Sequence, residues 1–111
     1  HMVLQDPQLR HAETWVRARL DQPISIPALA SALHLTTRTM ARRFGAVLGL
    51  TPLQFVQRLR IEQALHLLRA TTHSFDKIAA QVGYADPNAL RRLLMREAGA
   101  TPSELRRQVR T

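Results

Sequence analysis

The sequence predicts an all-α fold of seven helices, arranged as two helix-turn-helix subdomains joined by a long linker helix. Three observations carry that prediction. Prolines stand just inside helix starts behind capping residues, apolar residues recur at helical spacing, and one stretch of sequence occurs twice, about fifty residues apart.

The prolines punctuate the chain. Pro7, Pro27, Pro52, Pro87 and Pro102 each fit the first turn of a helix, where a missing N–H costs nothing. Asp6, Thr51, Asp86 and Thr101 directly precede four of them as N-caps, and Thr51–Gln54 and Thr101–Glu104 have capping-box spacing. Helix 1 is expected at about 7–20, burying Leu9, Trp15, Val16 and Leu20. Helices 2 and 3 follow at about 26–33 and 37–48. The linker, helix 4, covers about 52–69, with Phe55, Leu59, Ala64, Leu67 and Leu68 on its apolar side. Helices 5, 6 and 7 are expected at about 75–82, 87–97 and 102–109. All four glycines are assigned to helix ends or turns. Gly83 supplies a left-handed residue in the second helix-turn-helix, and His34 stands at that place in the first.

The repeat aligns Ser25 with Ser74, Leu29 with Ile78, Ala30 with Ala79 and Leu33 with Val82. After one extra residue in the second turn, Met40 matches Leu90, Arg42 matches Arg92 and Phe44 matches Leu94. Gly49-Leu50-Thr51-Pro52 then matches Gly99-Ala100-Thr101-Pro102. A repeated apolar frame carrying arginines at one place suggests a single docking solution used twice on a periodic, acidic partner. Duplex DNA is such a partner.

Composition agrees. The 111 residues suit one domain or two small lobes, and 45% hydrophobic content suffices for a core. The 16 basic against 8 acidic residues give a formal charge of +8, and Lys77 is the single lysine. Such a balance points to nucleic acid or an anionic surface. The planar arginine fork suits guanine and phosphate, although a GC-rich coding bias would also raise arginine. No apolar run reaches the roughly 18 residues that cross a bilayer, and no signal peptide is evident. Without cysteine, disulfides and thiol chemistry are excluded. His1-Met2 reads as an expression-tag remnant, leaving a domain over 3–111 with lobes at about 7–50 and 73–110.

Several stretches resemble the DNA-binding domain of the AraC/XylS family of bacterial transcription regulators. They are Arg60-Ile61 with Ala64 and Leu67-Leu68; Ser74-Phe75-Asp76-Lys77-Ile78-Ala79; Gly83-Tyr84 with Leu90, Arg92 and Leu94; and Gly99-Ala100-Thr101-Pro102-Ser103-Glu104-Leu105-Arg106. The resemblance covers about residues 7–110. Three positions depart from it: Leu90 and Leu94 replace the usual aromatics, and His34 stands where a small or amide residue is commoner. The Asp86-Pro87-Asn88-Ala89-Leu90 start of helix 6 resembles the subgroup with an amidotransferase-like sensor domain. The family implies a cytoplasmic, sequence-specific binder of promoter DNA. It also implies possible contact with RNA polymerase and a separate sensor or dimerisation domain in the full-length protein.

In a helix-turn-helix the second helix enters the major groove. On helix 3, Arg38 and Arg42 share a face with Ala41 beside them, while Met40, Phe44 and Leu48 turn inward. On helix 6, Asn88, Arg91 and Arg92 occupy the matching face. These six outward residues are the candidate base contacts, and Asn88 either reads adenine or reinforces the helix start. Candidate phosphate contacts are Thr36, Thr37, Arg43, Ser74, Arg96, Thr101 and Arg106, with Ser25 and Arg107 as further possibilities. Trp15 and Tyr84 read as core or core-edge residues rather than ligand contacts.

Two motifs in one chain are related by translation, so a monomer suffices and the target is asymmetric. The linker would span roughly 27 Å, on the scale of one DNA turn of roughly 34 Å. Bending DNA to suit would cost about 1–6 kcal/mol. His11, His34, His66 and His73 show no metal-ligand pairing, and no paired carboxylates or phosphate-cradling glycine loop appear. Catalysis, cofactors, metals and membrane attachment are therefore not expected. The alternative is a nonspecific nucleic-acid-binding or architectural basic protein, but few aromatics are available to stack bases.

Overall fold

The computed structural model describes residues 5–108. The tag remnant and residue 109, the last assigned to helix 7, lie outside that range. Among the described residues there are seven helices and no strands: α1 (Pro7–Arg17), α2 (Ile26–Ala32), α3 (Thr37–Leu48), α4 (Pro52–Ala70), α5 (Phe75–Gln81), α6 (Pro87–Ala98) and α7 (Pro102–Arg107).

The expected caps form. Asp6 accepts from the amides of Gln8 and Leu9, Ser25 from Ala28, Thr36 from Thr39, Ser74 from Lys77 and Asp86 from Asn88. Both capping boxes close reciprocally, Thr51 with Gln54 and Thr101 with Glu104. Helix 1, however, ends at Arg17 rather than near 20. Its backbone tightens there, with Arg19 donating to Val16 and Gln22 to Arg19, three residues back. That tightening still delivers Leu20 to the core. Trp15 is only half-buried: the Arg19 guanidinium lies 4.3 Å from its ring centroid and donates to the Trp15 carbonyl.

The chain divides into two compact units inside α4, after Leu59. The first has a core of Leu9, Ala12, Val16, Leu29, Met40, Phe44 and Phe55, among others. Phe44 and Phe55 meet edge-to-face at 5.0 Å. The second is built on Ala64, Leu68, Ile78, Ala79, Val82, Leu90, Leu94 and Leu105. The linker helix is thus core material at both ends, Phe55, Val56 and Leu59 serving one unit and Ala64 and Leu68 the other. Leu67, expected on its apolar side, is half-buried.

Two arginines hold backbone in the second unit. Arg60, 8% exposed, donates to the Val82 carbonyl at 2.6 Å and faces the Tyr84 ring at 5.9 Å. Burial pulls its basicity down, opposed by Tyr84, and the guanidinium remains charged. Burial also pushes the Tyr84 phenol up, with Arg60 and Arg96 opposing. Arg106 donates to the carbonyls of Leu68 and His73 around the end of α4. The Leu68 carbonyl, in the last turn of α4, thereby gains a cationic partner where the helix dipole favours one, and the His73 carbonyl ties down the loop that follows.

One glycine assignment is corrected. Gly45 lies inside α3, with open space where a Cβ would project. Gly49, at the end of the same helix, is left-handed at φ 68. Gly45→Ala should therefore raise stability by about 1 kcal/mol, because alanine loses less backbone freedom on folding. Gly49→Ala, with equal space, should lower it by roughly 1–2 kcal/mol, because a Cβ is strained at that φ. Urea midpoints moving the same way for both would contradict this account.

Acid stability follows from two carboxyls. Partial burial pushes Asp6 up, but hydrogen bonds from Arg43 and the Leu9 and Gln8 amides outweigh it and hold the carboxyl below its ordinary 3.8. The Thr101 hydroxyl and amide hold Glu104 below its ordinary 4.5, with Arg107 adding a smaller push down. Groups depressed in the folded state stabilise it above their unfolded values and lose that contribution as pH falls through the folded ones. Melting temperature should fall with pH in this range, and Asp6→Asn with Glu104→Gln should make the fall shallower. An unchanged slope in the double variant would refute the assignment.

Candidate nucleic-acid interface

Each unit contains one helix-turn-helix, and the two turns close with the same backbone bonds at an offset of 49 residues. In the first, Leu35 donates to Ala30 at 2.9 Å and His34 to Ser31 at 3.0 Å. In the second, Tyr84 donates to Ala79 at 2.8 Å and Gly83 to Ala80 at 3.1 Å. This is the Schellman arrangement, which needs a left-handed residue just past the helix. His34 occupies it at φ 57 and Gly83 at φ 91. One extra residue then shifts the second helix, so α3 and α6, each 12 residues long, correspond at an offset of 50. Gly49 and Gly99 end them at nearly equal φ, 68 and 67.

The apolar side of each second helix is fixed by burial. Met40 and Phe44 of α3 are buried and Leu48 packs on the same core; Leu90, Leu93 and Leu94 of α6 are buried. The other side is left to solvent. Thr37, Arg38, Ala41 and Arg42 are exposed on α3, and Asn88, Arg91 and Arg92 on α6. Each sequence-predicted group is thereby assembled on one exposed surface of its own unit.

The exposed arginines differ in how they are held. Arg91 donates to the Asn88 amide oxygen, and its guanidinium carbon lies 5.0 Å from the centre of the Phe75 ring. Arg43, expected to meet phosphate, is exposed and ion-paired with Asp6, the N-cap of α1. Arg106, also expected at phosphate, is half-buried on the carbonyls of Leu68 and His73 described above. Arg96 pairs with its neighbour Glu97 at 3.3 Å on exposed surface, a contact worth little. The hydroxyls of Thr36, Ser74 and Thr101 are engaged in capping.

Sequence reasoning named Asp6 as a cap but missed its pairing with Arg43, the ring contact of Phe75 with Arg91 and the carbonyl-holding role of Arg60. Asp6 and Arg43 are 37 residues apart, so no local pattern joins them. Phe75 was visible as part of the family motif at the start of helix 5, with nothing local to join it to Arg91 sixteen residues on. No group of three or more His, Cys, Asp or Glu suited to a metal ion occurs among the described residues. No helix there is long and apolar enough to cross a membrane.

A family model described as a helix-turn-helix domain matches residues 29–108. The HTH-type transcriptional activator RhaS of Escherichia fergusonii is 37% identical over 101 residues, which are 91% of this chain and 36% of that protein. This chain thus spans only about a third of the length of that curated relative. The DNA-binding domain of AdpA, a global transcriptional factor solved in complex with a target DNA, is 31% identical, with a TM-score of 0.84. That match covers 96% of this chain and 95% of that one. An AraC-type regulator structure from Chromobacterium violaceum is 26% identical, with a TM-score of 0.88 over 93% of this chain and 92% of its own.

Proposed function

The chain belongs to the AraC-type helix-turn-helix family, and we propose that it is the sequence-specific, double-stranded-DNA-binding part of a bacterial transcription regulator. One observation carries the reading: two turns closed by the same backbone hydrogen bonds each lead into an exposed, arginine-bearing second helix. Helices α3 and α6 enter successive major grooves of an asymmetric site. Arg42 and Arg92 read guanine through O6 and N7, with Arg38, Arg91 and Asn88 beside them and Ala41 against a base edge.

Phosphates meet Thr37, Arg96 and the free amides at the starts of helices near Thr36, Ser74 and Thr101. Arg43 and Arg106 are left out of that set, because Asp6 and backbone carbonyls already hold them. The family is a class of DNA-binding regulators rather than enzymes, and no cofactor is assigned. The protein acts in the cytoplasm. RNA polymerase contact and dimerisation through a sensor domain belong to the regulator as a whole. The amidotransferase-like subgroup has no support. None of the relatives named above is described in that way, and Asp86 to Leu90 have local work in capping α6 and filling its core.

Selection of bound duplexes from a random library tests the reading directly. It should enrich an asymmetric site with two segments about 10–11 base pairs apart. No enrichment would sink sequence-specific binding, leaving a nonspecific basic protein.

Arg42→Ala and Arg92→Ala should each cost about 1–3 kcal/mol on the selected site and less on random duplex. Equal losses on every duplex would mean that these arginines touch phosphate alone. Affinity should also fall with salt by roughly 0.9 log units per log unit of salt for each phosphate neutralised.

A further inference from the structure

We infer that Phe75 is a positioning residue for DNA reading, an aromatic platform that holds the Arg91 guanidinium for a base in the second half-site. The inference rests on the reading of Arg91 as a base contact. Phe75 is the first residue of α5 and Arg91 lies on α6, so the contact bridges the two helices of one motif. The guanidinium carbon is 5.0 Å from the ring centre, within the range of a cation–π contact. Asn88 takes a hydrogen bond from the same group. Arg91 is nonetheless exposed, while Phe75 is half-buried against the second core.

The internal repeat supplies an independent observation. Ile26 is the first residue of α2, where Phe75 is the first of α5. Ala41 is the fifth residue of α3, where Arg91 is the fifth of α6. One copy therefore has both the arginine and its ring, and the other has neither. If Phe75 served only the core, the exchange at position 41 would have no connection with it. A flexible arginine loses much rotamer freedom on docking, and a side chain already stacked loses less. The planar guanidinium can stack in this way, whereas a lysine ammonium offers no plane.

Fluorescence anisotropy on the selected duplex, and on duplexes altered one base pair at a time, tests this with four variants. Arg91→Ala should relax preference at one base pair of the second segment and so identify the pair it reads. Phe75→Leu, which keeps apolar bulk but removes the ring face, should relax preference at the same pair by about two- to fivefold. Phe75→Tyr should retain it, and Phe75→Leu should add little when Arg91 is already alanine.

A Phe75→Leu loss that is uniform over all duplexes, or additive with Arg91→Ala, would reduce Phe75 to core packing and overturn the inference. Tighter binding by Phe75→Leu would also overturn it, since the ring would then hold Arg91 away from DNA. If Arg91→Ala shifts no base preference, its base-reading role fails and this inference with it. If Arg91→Ala shifts it but Phe75→Leu does not, the platform alone fails.

Discussion

The two turn closures are the constraint on which the rest depends. In each, an amide just past a left-handed residue reaches back to the carbonyl of a buried alanine, Ala30 or Ala79. That bond ends the first helix, reverses the chain and sets the direction in which the second begins. A larger residue in place of either alanine would push the packed helices apart, because interiors are close-packed and leave no room for added methylenes. Leu35 and Tyr84, the residues whose amides make the closures, also lay their side chains on the respective cores. Backbone bond and apolar contact thus come from one residue, which makes the turn stiff. Only on a stiff turn does an arginine on α3 or α6 have a defined place to point.

Much of this was legible because it is local. A cap, a proline and a helical stripe are patterns within four residues, and the repeat checks one half of the chain against the other. The boundaries of α3, read as about 37–48, are the ones found. What was not legible depends on partners distant in the chain. Nothing near Arg106 indicates that it will serve the carbonyls of Leu68 and His73, and nothing near Arg43 names Asp6. Helix 1 ends early although its apolar spacing continues to Leu20, because a tighter turn can bury that leucine as well as an α-helical one. Gly45 was a different kind of miss. Its place inside the α3 span was already implied by the helix boundaries, but composition reasoning assigned it to a turn.

The arginines also show why net charge is a blunt guide to an interface. A formal charge of +8 suggests a uniformly basic surface. The fold divides its arginines among different tasks. Arg60 and Arg106 satisfy carbonyls at helix ends, Arg19 covers Trp15, and Arg17 and Arg43 are ion-paired with Glu13 and Asp6. Substituting Arg60 or Arg106 would disturb folding and DNA binding together, and affinity alone would not separate the two. Arg38, Arg42 and Arg92 stand apart as exposed groups on the second helices. The count gave the class of partner, but burial and hydrogen bonding sort the residues that could meet it.

The two copies reach the same turn by different means, and the difference bears on how firmly each second helix is set. The first uses His34 at φ 57, a conformation that costs a residue with a Cβ about 1–2 kcal/mol. The second uses Gly83, which adopts φ 91 without that strain but loses more backbone freedom on folding. Glycine alone would leave the softer joint. There, however, Arg60 donates to the carbonyl of Val82, the residue immediately before Gly83, and faces the ring of Tyr84, the residue after it. One buried cation therefore grips both sides of the glycine. An isolated buried charge is costly, so this one is tolerable because the carbonyl and the ring both stabilise it. A residue restricted by its Cβ in one copy and a buried guanidinium beside glycine in the other are two solutions to the same requirement, a turn stiff enough to aim a helix.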